Sequence, residues 1–326
     1  MFRPGTAIPY DCSIDTCPGT LGRGQAVRHN CGNPLVRMAG LFARPDRIGP
    51  DRTVVGNRSR VGCMCARWPR LMGTSDPGHT STVEGMETLS RGDIRLVYED
   101  SGEGPAILCL APGGLSASRR ETWQRVSWNP LKELAGAYRI VAMDQRNTGT
   151  SFAPVTAGDG WGSYADDQLA LMDHLGIETF AVVGMCIGGA FIMRLLEEAP
   201  ERVTAAVALQ PIGLDGNLDT FLGLFDAWRR EVAGQHPEAR DADWNAFRSA
   251  LFGADRLTWS VDDELLPTVT QPLLVLQGDD EFHPSSVSQK LAMQVPSASL
   301  VERWKDPADA PAADAAIKEF LAAYVR

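Results

Sequence analysis

From Met86 onward the chain alternates short apolar runs with amphipathic stretches, a pattern that predicts strands and helices in turn. Asp93–Glu99 reads as a strand closed by a Ser-Gly-Glu-Gly turn, and Ala106–Leu110 (AILCL) is apolar throughout, as a strand covered on both faces would be. Tyr138–Met143, Phe180–Val183, Val203–Leu209 and Pro272–Leu276 share that character, while Ser299–Trp304 reads as a more exposed last strand. Helical spacing falls between them, at about Tyr164–Leu175, Gly189–Ala199 and Ala312–Tyr324. Strands separated by helices at this interval predict an α/β fold with a doubly wound, mostly parallel sheet. The interval 213–270 breaks the rhythm with two amphipathic stretches, Leu218–Val232 and Asp243–Phe252, and reads as a small helical lid inserted over one edge. No internal repeat is visible.

Residues 1–85 show neither period. They hold five of the seven Cys, twelve of the 32 Gly and eight of the 21 Pro, and carry a net +5 against −15 for the remainder. No apolar h-region follows the start, so a secretory signal is excluded, and the Gly and Pro density fits a transit peptide poorly. Cys63-Met64-Cys65 has no second pair at zinc-site spacing, so no metal is expected there. The segment reads as a disordered leader, or as upstream translation of a chain whose working start is Met72 or Met86. Arg outnumbers Lys 27 to 4, as in a GC-rich gene where spurious upstream starts are common. Residues 86–326 are then the folded domain.

Composition narrows the function classes. A chain of 326 residues at 44% apolar can bury a full core, and no run approaches the roughly 18–20 apolar residues of a membrane span. A net charge of −10 argues against nucleic acid, whose binding rests on basic surface. A soluble, cytoplasmic protein acting on a small molecule is expected, with no nucleic-acid or membrane partner. Its oligomeric state is not legible in the sequence.

In a doubly wound sheet the chemistry sits beyond the carboxyl ends of the strands. After Phe180–Val183 comes Gly184-Met185-Cys186-Ile187-Gly188-Gly189, followed directly by helical sequence. This is nucleophile-elbow spacing, G-x-S-x-G, with Cys in place of Ser. The turn is tight enough to strain the nucleophile's backbone, and glycines two residues either side let neighbouring backbones pass. The thiol of Cys186 then stands at a helix N-terminus, which favours the thiolate, and the N–H of Ile187 is placed to stabilise an oxyanion.

With the elbow in place, the chain from about Met86 to Arg326 resembles the α/β-hydrolase fold family. Ala111-Pro112-Gly113-Gly114 stands where that family has its His-Gly oxyanion loop, which makes Gly114, or Leu115, the candidate second donor. Asp144 to Ser151 (DQRNTGTS) resembles the family's D-x-R-G-x-G-x-S turn, which implies scaffold roles for Asp144 and Arg146. Gly278 to Pro284 (GDDEFHP) follows the strand after which the family carries its acid, and the match implies Asp280, with Asp279 second.

The chain departs from the pattern at the base. The family places a His after the last strand, whereas here no His follows His283. His29 and His79 lie in the leader, His174 reads as a surface or structural residue and His236 as solvated. His283, three residues beyond Asp280, is the candidate base, and Cys186, Asp280, His283 keep the order nucleophile, acid, base. A thiolate tolerates a weaker or displaced base better than a Ser hydroxyl does. Two functions are therefore expected. One is cofactor-independent hydrolysis of a small apolar ester, lactone or thioester. The other is a weak or inactive protein that binds a small apolar ligand in the same pocket. The lid's aromatic stripe implies an apolar pocket, with Phe225 and Trp228 as substrate-binding candidates. No phosphate loop or metal-ligand cluster is visible, so no cofactor is expected.

Overall fold

The computed structural model describes residues 85–116 and 122–326. The leader expected over 1–85, including His29, His79 and the Cys63/Cys65 pair, lies outside these residues but for Gly85. An antiparallel hairpin, β1 (Glu87–Arg91) and β2 (Ile94–Ser101), opens the sheet, and β2 runs antiparallel to β4 (Arg139–Met143). Beyond β4 every pairing is parallel, through β3 (Ala106–Leu110), β5 (Phe180–Met185), β6 (Val203–Leu209), β7 (Leu273–Leu276) and β8 (Ala298–Val301). The spatial order is β1-β2-β4-β3-β5-β6-β7-β8.

Helices connect the parallel strands: α1 (Pro130–Glu133), α2 (Trp161–His174), α3 (Ile187–Glu198), α4 (Leu218–Val232), α5 (Asp241–Phe252) and α6 (Ser285–Gln294), and α7 (Ala310–Tyr324) follows β8. The central strands β3 and β5 are buried along their whole length, which is why they read as unbroken apolar runs. α3 is buried from Ile187 to Met193 and packs on β5, β6 and α2. Because β3 and β5 are neighbours in this order, the loops beyond their carboxyl ends meet, and the topology places a site there.

The doubly wound sheet and the two helices between β6 and β7 agree with the sequence reading. Three elements do not follow from it: the single turn of α1, β1 and α6. β1 (ETLSR) is almost entirely exposed, so it has no apolar alternation and exists by pairing with β2. α6 buries only Val287, Ser288 and Leu291, too thin a stripe to stand out. The last strand ends at Val301 rather than Trp304; the Trp304 indole turns inward and donates to the Gln277 carbonyl at 2.8 Å. Among the described residues no helix is long and apolar enough to cross a membrane.

The turn after β4 is held by buried charge. Arg146 donates through Nη1 to Asp159 (2.5 Å) and through Nε to Asp167 (2.8 Å), and Asp167 also receives Arg91 at 3.1 Å. The side chains of Arg146, Asp159 and Asp167 are all at least nine-tenths buried. Removing one member of such a cluster strands the others without water. Arg146→Leu is therefore expected to lower the unfolding free energy by about 3–5 kcal/mol. Urea unfolding measures it; a loss under about 1 kcal/mol, the range of an exposed pair, contradicts the role given to this cluster.

Candidate functional site

Between β5 and α3 a single residue, Cys186, makes the turn with φ 60° and ψ −116°. A side chain rarely adopts this conformation, and its cost is sustained only where the surroundings hold it. Here they do. Cys186 N–H donates to the Leu209 carbonyl at 3.0 Å, and its own carbonyl accepts from Gly189 (3.0 Å) and Ile212 (3.2 Å). The flanking glycines are required by close approach. A Cβ on Gly184 would lie 2.7 Å from the Gly188 carbonyl oxygen, and one on Gly188 would lie 2.7 Å from that of Leu110.

Two residues chosen from the sequence converge on the sulfur's surroundings. After β7 the chain folds back so tightly that a Cβ on Gly278 would sit 2.2 Å from the His283 carbonyl oxygen. Asp280 accepts the N–H groups of Phe282 and His283, both at 2.9 Å. Its carboxylate also faces His283 Nδ1, at 2.8 and 2.9 Å to the two oxygens. With Nδ1 held there, the imidazole lines the same cavity wall as Cys186 and lowers the pKa of its thiol. His283 is 1% exposed and Cys186 4%. Asp279, the second choice for the acid, is exposed and pairs with Lys305.

Burial alone would push the Cys186 thiol up. The His283 imidazole, joined by the backbone N–H groups of Gly113 and Ile187, more than reverses it and holds the thiol below its ordinary value. Cys109, buried in β3 without such partners, is pushed far up. The donor beside Ile187 at the sulfur is thus Gly113; Gly114, one residue on, lines a neighbouring cavity. The sequence reading named Gly114 or Leu115, both in the wall of that cavity, and not Gly113; only the path of the loop separates them.

Cys186 lies between two small cavities. One, of about 40 Å³, includes Thr122, Arg125, Gln210 and His283 in its wall. The other, of about 20 Å³, is apolar and closed by Ile212, Phe221, Leu224, Phe252 and Phe282. Phe225 and Trp228 line neither. Phe225 packs edge-on against Trp228 and Phe247, at 5.5 Å each, inside the helical segment, and Trp228 borders a different cavity. The aromatic stripe was legible, but α4 turns Phe221 and Leu224 toward Cys186 and its next turn toward α5. His236 is buried rather than solvated, stacked on Phe152 at 5.1 Å, whereas His174 is exposed as expected. Among the described residues no group of three or more His, Cys, Asp or Glu is placed to hold a metal ion.

Comparison with known proteins agrees with this architecture. A 2-hydroxy-6-oxononadienedioate/2-hydroxy-6-oxononatrienedioate hydrolase from Pseudomonas sp. is 23% identical over 256 residues, 69% of this chain and 89% of that protein. A fluoroacetate dehalogenase from Burkholderia sp. is 35% identical over 137 residues, 40% of this chain and 42% of that protein. In fold, the chain is similar to a solved hydrolase from Pseudomonas aeruginosa PA01, with a TM-score of 0.55 and 20% identity. That match covers 73% of this chain and 99% of the other. Residues 106–274, just over half of the chain, match the family described as alpha/beta hydrolase fold. The chain therefore belongs to the α/β-hydrolase fold family and is an enzyme of the hydrolase type.

Proposed function

We propose that this enzyme cleaves a small apolar ester, thioester or lactone through a covalent thioester on Cys186, with His283 as base and Asp280 as its orienting acid. The observation that carries the reading is that buried Cys186 and His283 share one cavity wall, with the thiol held below its ordinary value by the imidazole. Asp280 keeps the proton on Nδ1 and stabilises the imidazolium, leaving Nε2 for the sulfur.

The steps follow from these positions. The thiolate adds to the acyl carbon, and the oxygen that takes the negative charge meets the N–H groups of Gly113 and Ile187. Collapse breaks the bond to the leaving group, which takes the proton from His283 Nε2. Water then adds to the thioester carbon while Nε2 accepts its proton, and the second collapse restores the thiolate and releases the acid. His283 borders the cavity with Thr122, Arg125 and Gln210, so the leaving group departs on that side. The acyl portion occupies the apolar cavity beneath Phe221 and Phe252. In this reading the segment 213–270 acts as a lid and Phe221, Leu224 and Phe282, rather than Phe225 or Trp228, face the acyl group. The hydrolase and dehalogenase names of the relatives support an acyl or carbon-centred substitution on a small substrate.

A panel of p-nitrophenyl esters, acyl thioesters and lactones tests the activity. Cys186→Ala is expected to abolish turnover. His283→Ala is expected to lower kcat by about 10²–10⁴-fold, with Asp280→Asn in the same direction and KM less affected. Ligand binding without turnover on any of these compounds would overturn the hydrolytic reading in favour of a binding protein.

Alkylation gives a separate check on the sulfur. Iodoacetamide is expected to modify Cys186 at neutral pH much faster than Cys109, because the thiolate is the reacting form. His283 lowers the thiol's pKa, so in His283→Ala the rate–pH profile moves to higher pH, with a slower reaction near neutrality. An unmoved profile contradicts the assigned pairing.

A further inference from the structure

A third cavity, of about 160 Å³, lies between the turn after β4 and the C-terminal half of α4, and shares no residue with either cavity at Cys186. Its wall includes Ser116, Asn147, Phe152, Trp228, Glu231 and His236. A cavity of about 150 Å³ is enough for a benzene-sized ring, so this one has room that the cavities beside Cys186 lack.

His236 gives the cavity its chemistry. The residue is 3% exposed, and its ring is clamped by stacking on Phe152 (5.1 Å, 7° between planes) and by the edge of Trp244 at 5.7 Å. Nδ1 lies 3.0 Å from Glu238 Oε1, and that same oxygen accepts the Val155 N–H at 3.2 Å. The carboxylate fixes the proton on Nδ1, which makes Nε2 of the neutral ring an acceptor. No described residue bonds to Nε2. A buried histidine oriented in this way, with its acceptor atom left to the cavity, is built to receive a donor. Trp228 supplies an aromatic face beside it, and its indole N–H also has no partner among the described residues. Glu231 at the exposed rim and the nearby Glu238 disfavour an anion.

We propose that this cavity is a second ligand site, for a neutral, ring-sized molecule that presents an O–H or N–H donor to His236 Nε2 and packs its ring on Trp228. It is distinct from the site of bond cleavage but not remote from it. Ser116 closes the turn that begins at Gly113, and the same helix α4 walls both cavities, with Phe221 and Leu224 on one and Trp228 and Glu231 on the other.

Phenol is the simplest probe, with benzene (no donor) and benzoate (an anion) for comparison. Calorimetric titration of the full chain is expected to show one phenol site, with benzene and benzoate weaker by about five- to tenfold or more. His236→Phe, which keeps the stacked ring and removes both nitrogens, is expected to weaken phenol by a similar factor. Ser116→Leu, which fills the cavity from its exposed turn, gives the same loss if His236→Phe does not fold. Alkylation of Cys186 beforehand is expected to leave phenol binding intact. The proposal is overturned if phenol binds both variants as the parent does, if benzoate binds as well as phenol, if alkylation of Cys186 removes the site, or if no probe binds.

Discussion

The contact between the Cys186 sulfur and the His283 imidazole is the interaction on which the rest of the site depends. A thiol excluded from water should resist ionisation, as Cys109 does. At Cys186 the neighbouring imidazole and two backbone N–H groups overcome that penalty. Each member is placed by a different element. β5 and α3 hold the sulfur at a strained turn, the loop beyond β3 brings Gly113, and the loop beyond β7 brings His283. The parallel order of β3, β5, β6 and β7 is what lets three loops meet at one atom.

Asp280 and His283 lie within a single turn, and that compactness has consequences. The carboxylate that orients the ring also accepts two N–H groups of its own loop, so carboxylate, imidazole and loop conformation form one unit. The stretch after β8, where the family pattern has a base, is engaged differently. Trp304 donates to the Gln277 carbonyl and Lys305 pairs with Asp279, both at the root of that turn. That stretch buttresses the turn that holds His283.

Much of this was legible in the sequence because the strongest signals are steric. Gly184, Cys186 and Gly188 can be read as an elbow since a Cβ at either glycine collides with backbone within 3 Å. The buried strands β3 and β5 announce themselves as apolar runs. What was not legible depends on distances no local pattern encodes. β1 has no apolar face and exists through its partner strand. Gly113 and Gly114 are chemically equivalent in sequence, and only the loop path decides which N–H reaches the sulfur. On α4, Phe221 and Phe225 belong to one apolar stripe, yet one faces a cavity beside Cys186 and the other packs inside the helical segment. His236 looked solvated because it sits in a polar stretch; the Phe152 ring that buries it is 84 residues away in the chain.

The central claim, that Cys186 carries the acyl group and His283 drives its release, separates cleanly in the variant lacking the base. An activated ester needs no proton for its leaving group, so His283→Ala should still be acylated at a pH where the thiol ionises unaided, while hydrolysis of the thioester stalls. Intact-protein mass spectrometry of that variant after mixing with p-nitrophenyl acetate is the direct measurement. The account predicts an accumulating adduct of one acetyl group, mapped to Cys186 and absent from the doubly substituted Cys186→Ala, His283→Ala chain. An adduct on another residue, or none while p-nitrophenol is still released enzymatically, would contradict it.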